Sequence, residues 1–240
     1  MEKFELLPFD GPEALAAQAA ALWLDEIESA RRAGKPYCVA LSGGRIAHQF
    51  FSAAVDQAQA RGVGFEGIHF FWADERCVPP SDPESNFRTA SELLLGPLKI
   101  PAEQIHRIRG EEDPAGAAAR AAEELCQIAG QNSGGIPVID LVILGMGEDG
   151  HVASLFQNAI VRFANCKDFF VFVDDSRKPP PRRISLNVNV IAVAAKVWVM
   201  VSGAGKQPAL KESLDGKGQT PLARVIQARE WTRIFSDVRI

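Results

Sequence analysis

Short, almost wholly apolar runs alternate along this chain with longer stretches in which apolar and polar residues mix. Asp10-Gly-Pro-Glu13 has the spacing of a capping box, and Pro12 suits a first helical turn. An alanine-rich helix is therefore expected to about Ala33, ending at Gly34. Tyr37-Cys-Val-Ala-Leu41 reads as a buried strand, Ser42-Gly43-Gly44 as the turn out of it, and Ile46 to Arg61 as a second helix. Ile68-His-Phe-Phe-Trp72 is a further strand, stopped by the polar Asp74-Glu75-Arg76. The prolines between Pro79 and Ser85 demand a loop before a helix over Phe87 to Leu95. Asp113-Pro114 opens another helix that closes near Gly130. Val138-Ile-Asp-Leu-Val-Ile-Leu144 is so continuously apolar that helices must cover both of its faces. Strands are expected at Phe169 to Val173, Ile184 to Val188, Val197 to Val201 and Trp231 to Ser236, with short helices at Ala209 to Leu214 and Thr220 to Gln227. This alternation predicts an α/β fold with a mostly parallel sheet, which binds ligands at the carboxyl ends of its strands. The polar clusters at Ser42, Asp74 and Gly145 all fall at such ends.

Composition narrows the class. Apolar residues make up 47% of the 240 and charged residues 23%, as in an ordinary globular protein with a core large enough to need neither disulfide nor metal. The net charge of −4 argues against a nucleic-acid or anionic-membrane partner. Cys38, Cys77, Cys126 and Cys166 are widely spaced with no C-x-x-C pair, which reads as reduced, structural thiols and not a zinc site. Met1-Glu-Lys-Phe-Glu5 lacks the basic start of a signal peptide, and the apolar run Ala14 to Leu24 is too short to span a bilayer. The expectation is a cytoplasmic protein.

Gly145-x-Gly147-x-x-Gly150 after a strand literally matches the dinucleotide-binding fingerprint. Here, however, Glu148 and Asp149 would set two carboxylates beside the pyrophosphate, and the motif lies past mid-chain. That reading is set aside. The same loop carries Asp149-Gly150-His151, an acid and an imidazole at a strand end. Two readings stay open: a general base oriented by a carboxylate, or a helix cap followed by a first-turn histidine. Ser42-Gly43-Gly44-Arg45 is either a phosphate cradle, with backbone N–H groups and a guanidinium facing an anion, or a plain strand-to-helix turn. Lys206, after Gly203-Ala-Gly205, is a second candidate phosphate ligand or a solvated surface charge.

Several motifs occur in a fixed order: Ser42-Gly-Gly44, Phe71-Trp-Ala-Asp-Glu-Arg76, Ser85-Asn86, Leu144-Gly-Met-Gly-Glu-Asp-Gly-His-Val-Ala-Ser-Leu-Phe156, Pro179-Pro-Pro-Arg-Arg-Ile-Ser-Leu186 and Gly203-Ala-Gly-Lys206. With them the chain resembles the 6-phosphogluconolactonase family, within the larger group that includes glucosamine-6-phosphate deaminase, from about residue 10 to about 235. The resemblance implies one domain over 1–240, a three-layer α/β/α sandwich on a modified Rossmann-like sheet. It also implies hydrolysis of 6-phospho-D-glucono-1,5-lactone without cofactor or metal, by a monomer or small homo-oligomer. On this reading His151 is the general base and Asp149 its orienting partner. Asp74 and Arg76 line the sugar end. Ser42, Gly43, Gly44, Arg45 and Lys206 take the phosphate, with Arg183 as a further candidate. The chain departs from the family's Ser-Gly-Gly-Ser-Thr-Pro at Arg45, Ile46 and Ala47, where a guanidinium replaces two hydroxyls, and from its histidine loop at Val152 and Gln157. The rival readings are a deaminase, whose glutamate would fall on Phe156, and an inactive sugar-phosphate-binding protein.

Overall fold

The computed structural model describes residues 3–176 and 178–240. Met1 and Glu2, read above for the absence of a leader, lie outside that range. The strands are β1 (Phe4–Pro8), β2 (Tyr37–Leu41), β3 (Ile68–Trp72), β4 (Asp74–Arg76), β5 (Leu141–Gly145), β6 (Phe170–Val173), β7 (Arg183–Leu186), β8 (Lys196–Val201) and β9 (Thr232–Ser236). The helices are α1 (Pro12–Ala33), α2 (Arg45–Arg61), α3 (Asn86–Ala90), α4 (Pro114–Ile128), α5 (Gln157–Arg162), α6 (Val188–Val193), α7 (Gln207–Leu214) and α8 (Pro221–Ala228).

Six strands form a parallel sheet in the order β1-β9-β8-β5-β2-β3. The chain progresses one way across it from β1 to β2 to β3 and the other way from β5 to β8 to β9. Right-handed crossovers then put the helices of the two runs on opposite faces. Consistent with this, α1 packs on α2, and α7 on α8. The result is a three-layer sandwich. The reversal of direction falls between the neighbouring strands β2 and β5, where an open α/β sheet leaves a crevice at its carboxyl edge. β2 is buried along its whole length, and an aromatic cluster in which the rings of Trp23 and Phe50 lie 5.4 Å apart fills the layer between sheet and α1–α2.

The structure departs from the sequence pattern in several places. Asp74-Glu75-Arg76 does not merely stop β3; it is a strand of a second, antiparallel sheet, ordered β4-β7-β6. Ala73 hands the chain over, its N–H donating to Leu41 O at 2.7 Å and its carbonyl accepting from Leu186 N–H at 2.7 Å. β5 begins only at Leu141, because the Asp140 carboxylate accepts the Cys38 N–H at 2.8 Å in place of a backbone carbonyl. The capping box at Asp10 does not form: Gly11 is the N-cap of α1 and no side chain bonds its first turn. The helix after Ser85 starts at Asn86, and its last turn, Ser91–Leu95, is π-helical. β1, α5 and α6 were not foreseen. No helix among the described residues is long and apolar enough to cross a membrane.

Candidate active site

Where β2 and β5 diverge, a cleft of about 270 Å³ opens. Ser42, Gly43, Gly44, Arg45, Asp74, Arg76, His151, Arg183 and Lys206 all line it, with Asp149 behind His151. Asn86, Glu148, Ala153 and Lys178 line it too and were assigned no role from sequence. Among the described residues no three histidine, cysteine or carboxylate side chains cluster as a metal site requires.

The loop after β5 presents the histidine. Gly147 N–H donates to His151 O at 2.8 Å and Gly150 N–H to Gly147 O at 3.0 Å, so residues 147–151 close on themselves as a tight turn. No helix follows; α5 starts only at Gln157, which removes the helix-cap reading of Asp149. Instead Asp149 Oδ1 lies 2.5 Å from His151 Nδ1. Burial works to raise the Asp149 carboxyl, but its hydrogen bond to the His151 ring and the imidazole's charge outweigh that and hold it down at about 2. An ionised Asp149 keeps the imidazole proton on Nδ1 and turns the Nε2 lone pair outward. Beneath, the Phe156 ring lies 4.4 Å from the imidazole. Ala153, in the cleft wall, sits at φ 49°, a left-handed conformation that costs a non-glycine residue about 1–2 kcal/mol.

The opposite wall comes from β4 and α3. Glu75 is buried, and its two oxygens accept N–H bonds from Arg76, Asn86 and Phe87, each at 2.8 Å, and the Ser85 hydroxyl at 3.0 Å. Burial raises its carboxyl against the pull of those four bonds. This carboxylate fastens the start of α3 to β4 and so fixes Asn86. The Asn86 amide then donates to Asp74 O at 2.8 Å and Asp74 Oδ1 at 3.2 Å, while the Ser154 hydroxyl donates to Asp74 Oδ2 at 2.6 Å. Asp74, 5% exposed, is thereby held rigidly between the two walls. The glycine at 43 is required by this packing, since a Cβ there would lie 1.9 Å from Asn86 Oδ1. Arg76 is anchored through Nη1 to Glu84 O, and its buried Nε has no hydrogen-bond partner.

The third side is cationic. Arg45 opens α2, and Lys206 closes the short 3₁₀ turn after β8. Burial, then the neighbouring charge of Arg45, lowers the Lys206 ammonium to about 8. Ser42, at the end of β2, has a buried hydroxyl with no hydrogen-bond partner. Arg183, 4% exposed on β7, is lowered chiefly by burial, against the attraction of Asp74. Its Nε and Nη2 donate to main-chain carbonyls of the loop before β7.

The sequence signals for the unforeseen residues were weak. Asn86 and Lys178 stand in or beside motifs noted above, but only the fold shows that they reach the cleft.

Comparisons with known proteins agree with this fold. Residues 10–234 match the family described as glucosamine-6-phosphate isomerases/6-phosphogluconolactonase. A 6-phosphogluconolactonase of Haemophilus influenzae is 38% identical over 178 residues, 74% of this chain and 73% of that one. That of Mycobacterium tuberculosis is 37% identical over 163 residues, so the match spans about two thirds (66%) of each chain. The solved 6-phosphogluconolactonase of Trypanosoma brucei superimposes with a TM-score of 0.86 at 26% identity, covering 98% of this chain and 97% of that one. The chain belongs to the glucosamine-6-phosphate isomerase/6-phosphogluconolactonase family.

Proposed function

We propose that this protein is a lactone hydrolase that converts 6-phospho-D-glucono-1,5-lactone to 6-phosphogluconate, with His151 as the general base. The observation that carries this reading is the Asp149–His151 contact of 2.5 Å in a cleft whose third side holds Arg45 and Lys206. A water between His151 and the lactone gives a proton to Nε2 as its oxygen adds to the C1 carbonyl. The tetrahedral oxyanion is stabilised by Arg76, and its collapse breaks the bond from C1 to the ring oxygen, which takes the proton back from His151. Arg45, Lys206, the Ser42 hydroxyl and the N–H groups of Gly43 and Gly44 hold the phosphate. Asp74, held in place by Asn86 and Ser154, lines the sugar end.

Phe156, whose ring lies 4.4 Å from the His151 imidazole and tilted by 38°, leaves no carboxyl where a deaminase would need its ring-opening glutamate. The reaction is the hydrolytic step of the oxidative pentose phosphate route. The four cysteines are free, which suits the reducing cytoplasm. We assign the chain one domain, acting as a monomer or small homo-oligomer without cofactor or nucleic-acid partner.

The test is release of acid from freshly made phospholactone, followed by pH-stat. His151→Ala is expected to lower kcat by about a hundredfold or more, the scale of a lost general base, while 6-phosphogluconate still binds. A folded variant with unchanged kcat would move the chemistry elsewhere.

A further inference from the structure

Building on the proposed lactonase reading, we infer that Lys178 reads the substrate's phosphate and that Arg183 is not itself a phosphate ligand but the residue that positions Lys178. Two of the three nitrogens of the Arg183 guanidinium are already engaged. Nε donates to Pro180 O at 3.1 Å, and Nη2 to Lys178 O at 3.1 Å and Pro179 O at 3.5 Å, so one guanidinium grips three consecutive carbonyls. Nε and Nη2 could turn to an anion only by releasing that grip. The side chain also rises from β7, paired to β4 at Arg76 and to β6 at Val173, and it packs over the Phe156 ring at 5.6 Å. It is a rigid anchor on a strand, reaching out to a loop.

The loop it holds carries Lys178 into the lining of the cleft. A second grip acts on the same peptide: Ser176 Oγ donates to Lys178 O at 2.9 Å and accepts the Lys178 N–H at 3.2 Å. The backbone of this one exposed residue is thus tied on both of its polar groups, while its ammonium carries no salt bridge among the described residues. Such fixing of a surface lysine is unexplained by its own packing. It is explained if the ammonium must meet a ligand charge. Lys178 lines the same cleft as Arg45 and Lys206, and its positive charge, with that of Arg45, bears on the Lys206 ammonium. The charges that bear most on Arg183 are those of Asp74, Arg76, Glu84 and Glu75. The phosphate pole is then Arg45, Lys206 and Lys178, and Arg183 stands outside it.

Calorimetric titration with 6-phosphogluconate tests both parts without relying on turnover. Lys178→Met is expected to weaken binding about ten- to a hundredfold, as loss of one charge-assisted contact does, and to raise KM for the phospholactone far more than it lowers kcat. Arg183→Lys keeps the charge but cannot grip three carbonyls. It should weaken binding comparably, and adding Lys178→Met to it should cost less than about a further threefold. Should Arg183→Lys not fold, Ser176→Ala loosens the same peptide and carries the same non-additivity test. Wild-type affinity in Lys178→Met, or losses that multiply in the double variant, would overturn the inference, the second by making Arg183 a direct ligand. A wild type that binds 6-phosphogluconate but hydrolyses no lactone would refute the proposed activity and leave this inference standing.

Discussion

Adding a single methyl group at Gly147 should disarm the histidine while leaving the fold nearly intact. A Cβ built there lies 2.1 Å from both Cε1 and Nδ1 of His151 and 2.7 Å from Asp149 Oδ1. Carbon contacts in proteins settle near 3.5–4.0 Å, so the ring must retreat by about 1.5 Å or swing out of the turn altogether. Either movement breaks the Asp149–His151 contact and lifts the imidazole from Phe156. The atoms that collide are the ends of side chains facing an open cleft, so they can yield without disturbing the core. Loss of the aromatic contact costs about 0.5–1.5 kcal/mol, a small part of the stability of a domain this size. For catalysis a misplacement of about 1 Å is worth roughly a hundredfold. Gly147→Ala is therefore expected to lower kcat on the phospholactone by about a hundredfold while unfolding within about 2 kcal/mol of the wild type. Gly205→Ala is the control, because its Cβ would meet Glu148 Oε1 at a tolerable 3.3 Å. Wild-type kcat in folded Gly147→Ala would refute the account of how His151 is held.

Arg45→Ala should weaken binding of 6-phosphogluconate about ten- to a hundredfold, measured by calorimetry, if the guanidinium replaces the hydroxyls absent from this loop. On the proposed reading Lys206 attracts the phosphate only while charged; with its ammonium lowered to about 8, affinity for 6-phosphogluconate should fall as the pH rises through that value, and Lys206→Met should flatten the profile between pH 7 and 9. His106 is lowered to about 4, by burial and then by His69, so the unfolded chain binds its proton first, and stability should fall as the pH drops from about 6.5 toward 4. The slope from this group is at most about 1.4 kcal/mol per pH unit, and urea titrations of His106→Phe should show it reduced.

The parallel sheet was legible because its strands are covered on both faces. Tyr37–Leu41 and Ile68–Trp72 had to be apolar at nearly every position, and their bounds were readable to the residue. The second sheet was not. In Asp74-Glu75-Arg76 the backbone pairs with β7 while Glu75 and Asp74 are buried by hydrogen bonds to Asn86, Phe87, Ser85 and Ser154, all distant in sequence or beyond a proline-rich loop. A charged triplet that is buried by tertiary partners looks like a surface turn until those partners are placed. α5 and α6, of six residues each, are too short for a helical period to register. In the site, the polar clusters at strand ends could be picked out, with their roles drawn from the family resemblance. Lys178 could not, since nothing in its neighbours tells a lysine on a tied loop from one waving in solvent.

The three glycines after β5 show how identical spacing serves different physics. In a dinucleotide site their common purpose is to bring backbone close to a pyrophosphate. Here Gly147 and Gly150 are small for separate reasons, neither of which involves a nucleotide. Gly145 passes the β2 turn, where a Cβ would lie 3.7 Å from Gly43 O, in ordinary contact. Gly147 makes room for the His151 ring, which lies against its Cα. Gly150 takes φ 77° to close the turn, with its would-be Cβ 2.7 Å from Thr220 Cβ, and its carbonyl accepts the Leu222 N–H at 3.0 Å. Thr220 caps α8 through its own hydroxyl, so the loop's far end is pinned to a helix terminus in the layer behind the sheet. The turn that carries His151 is thus fixed at both ends and relieved in the middle. The two acidic residues that argued against a pyrophosphate have uses consistent with that: Asp149 orients the imidazole, and Glu148 packs along the Lys206 turn at Gly205. A motif match by spacing alone would have assigned this loop to phosphate, whereas its side chains and the contacts of its glycines assign it to the imidazole.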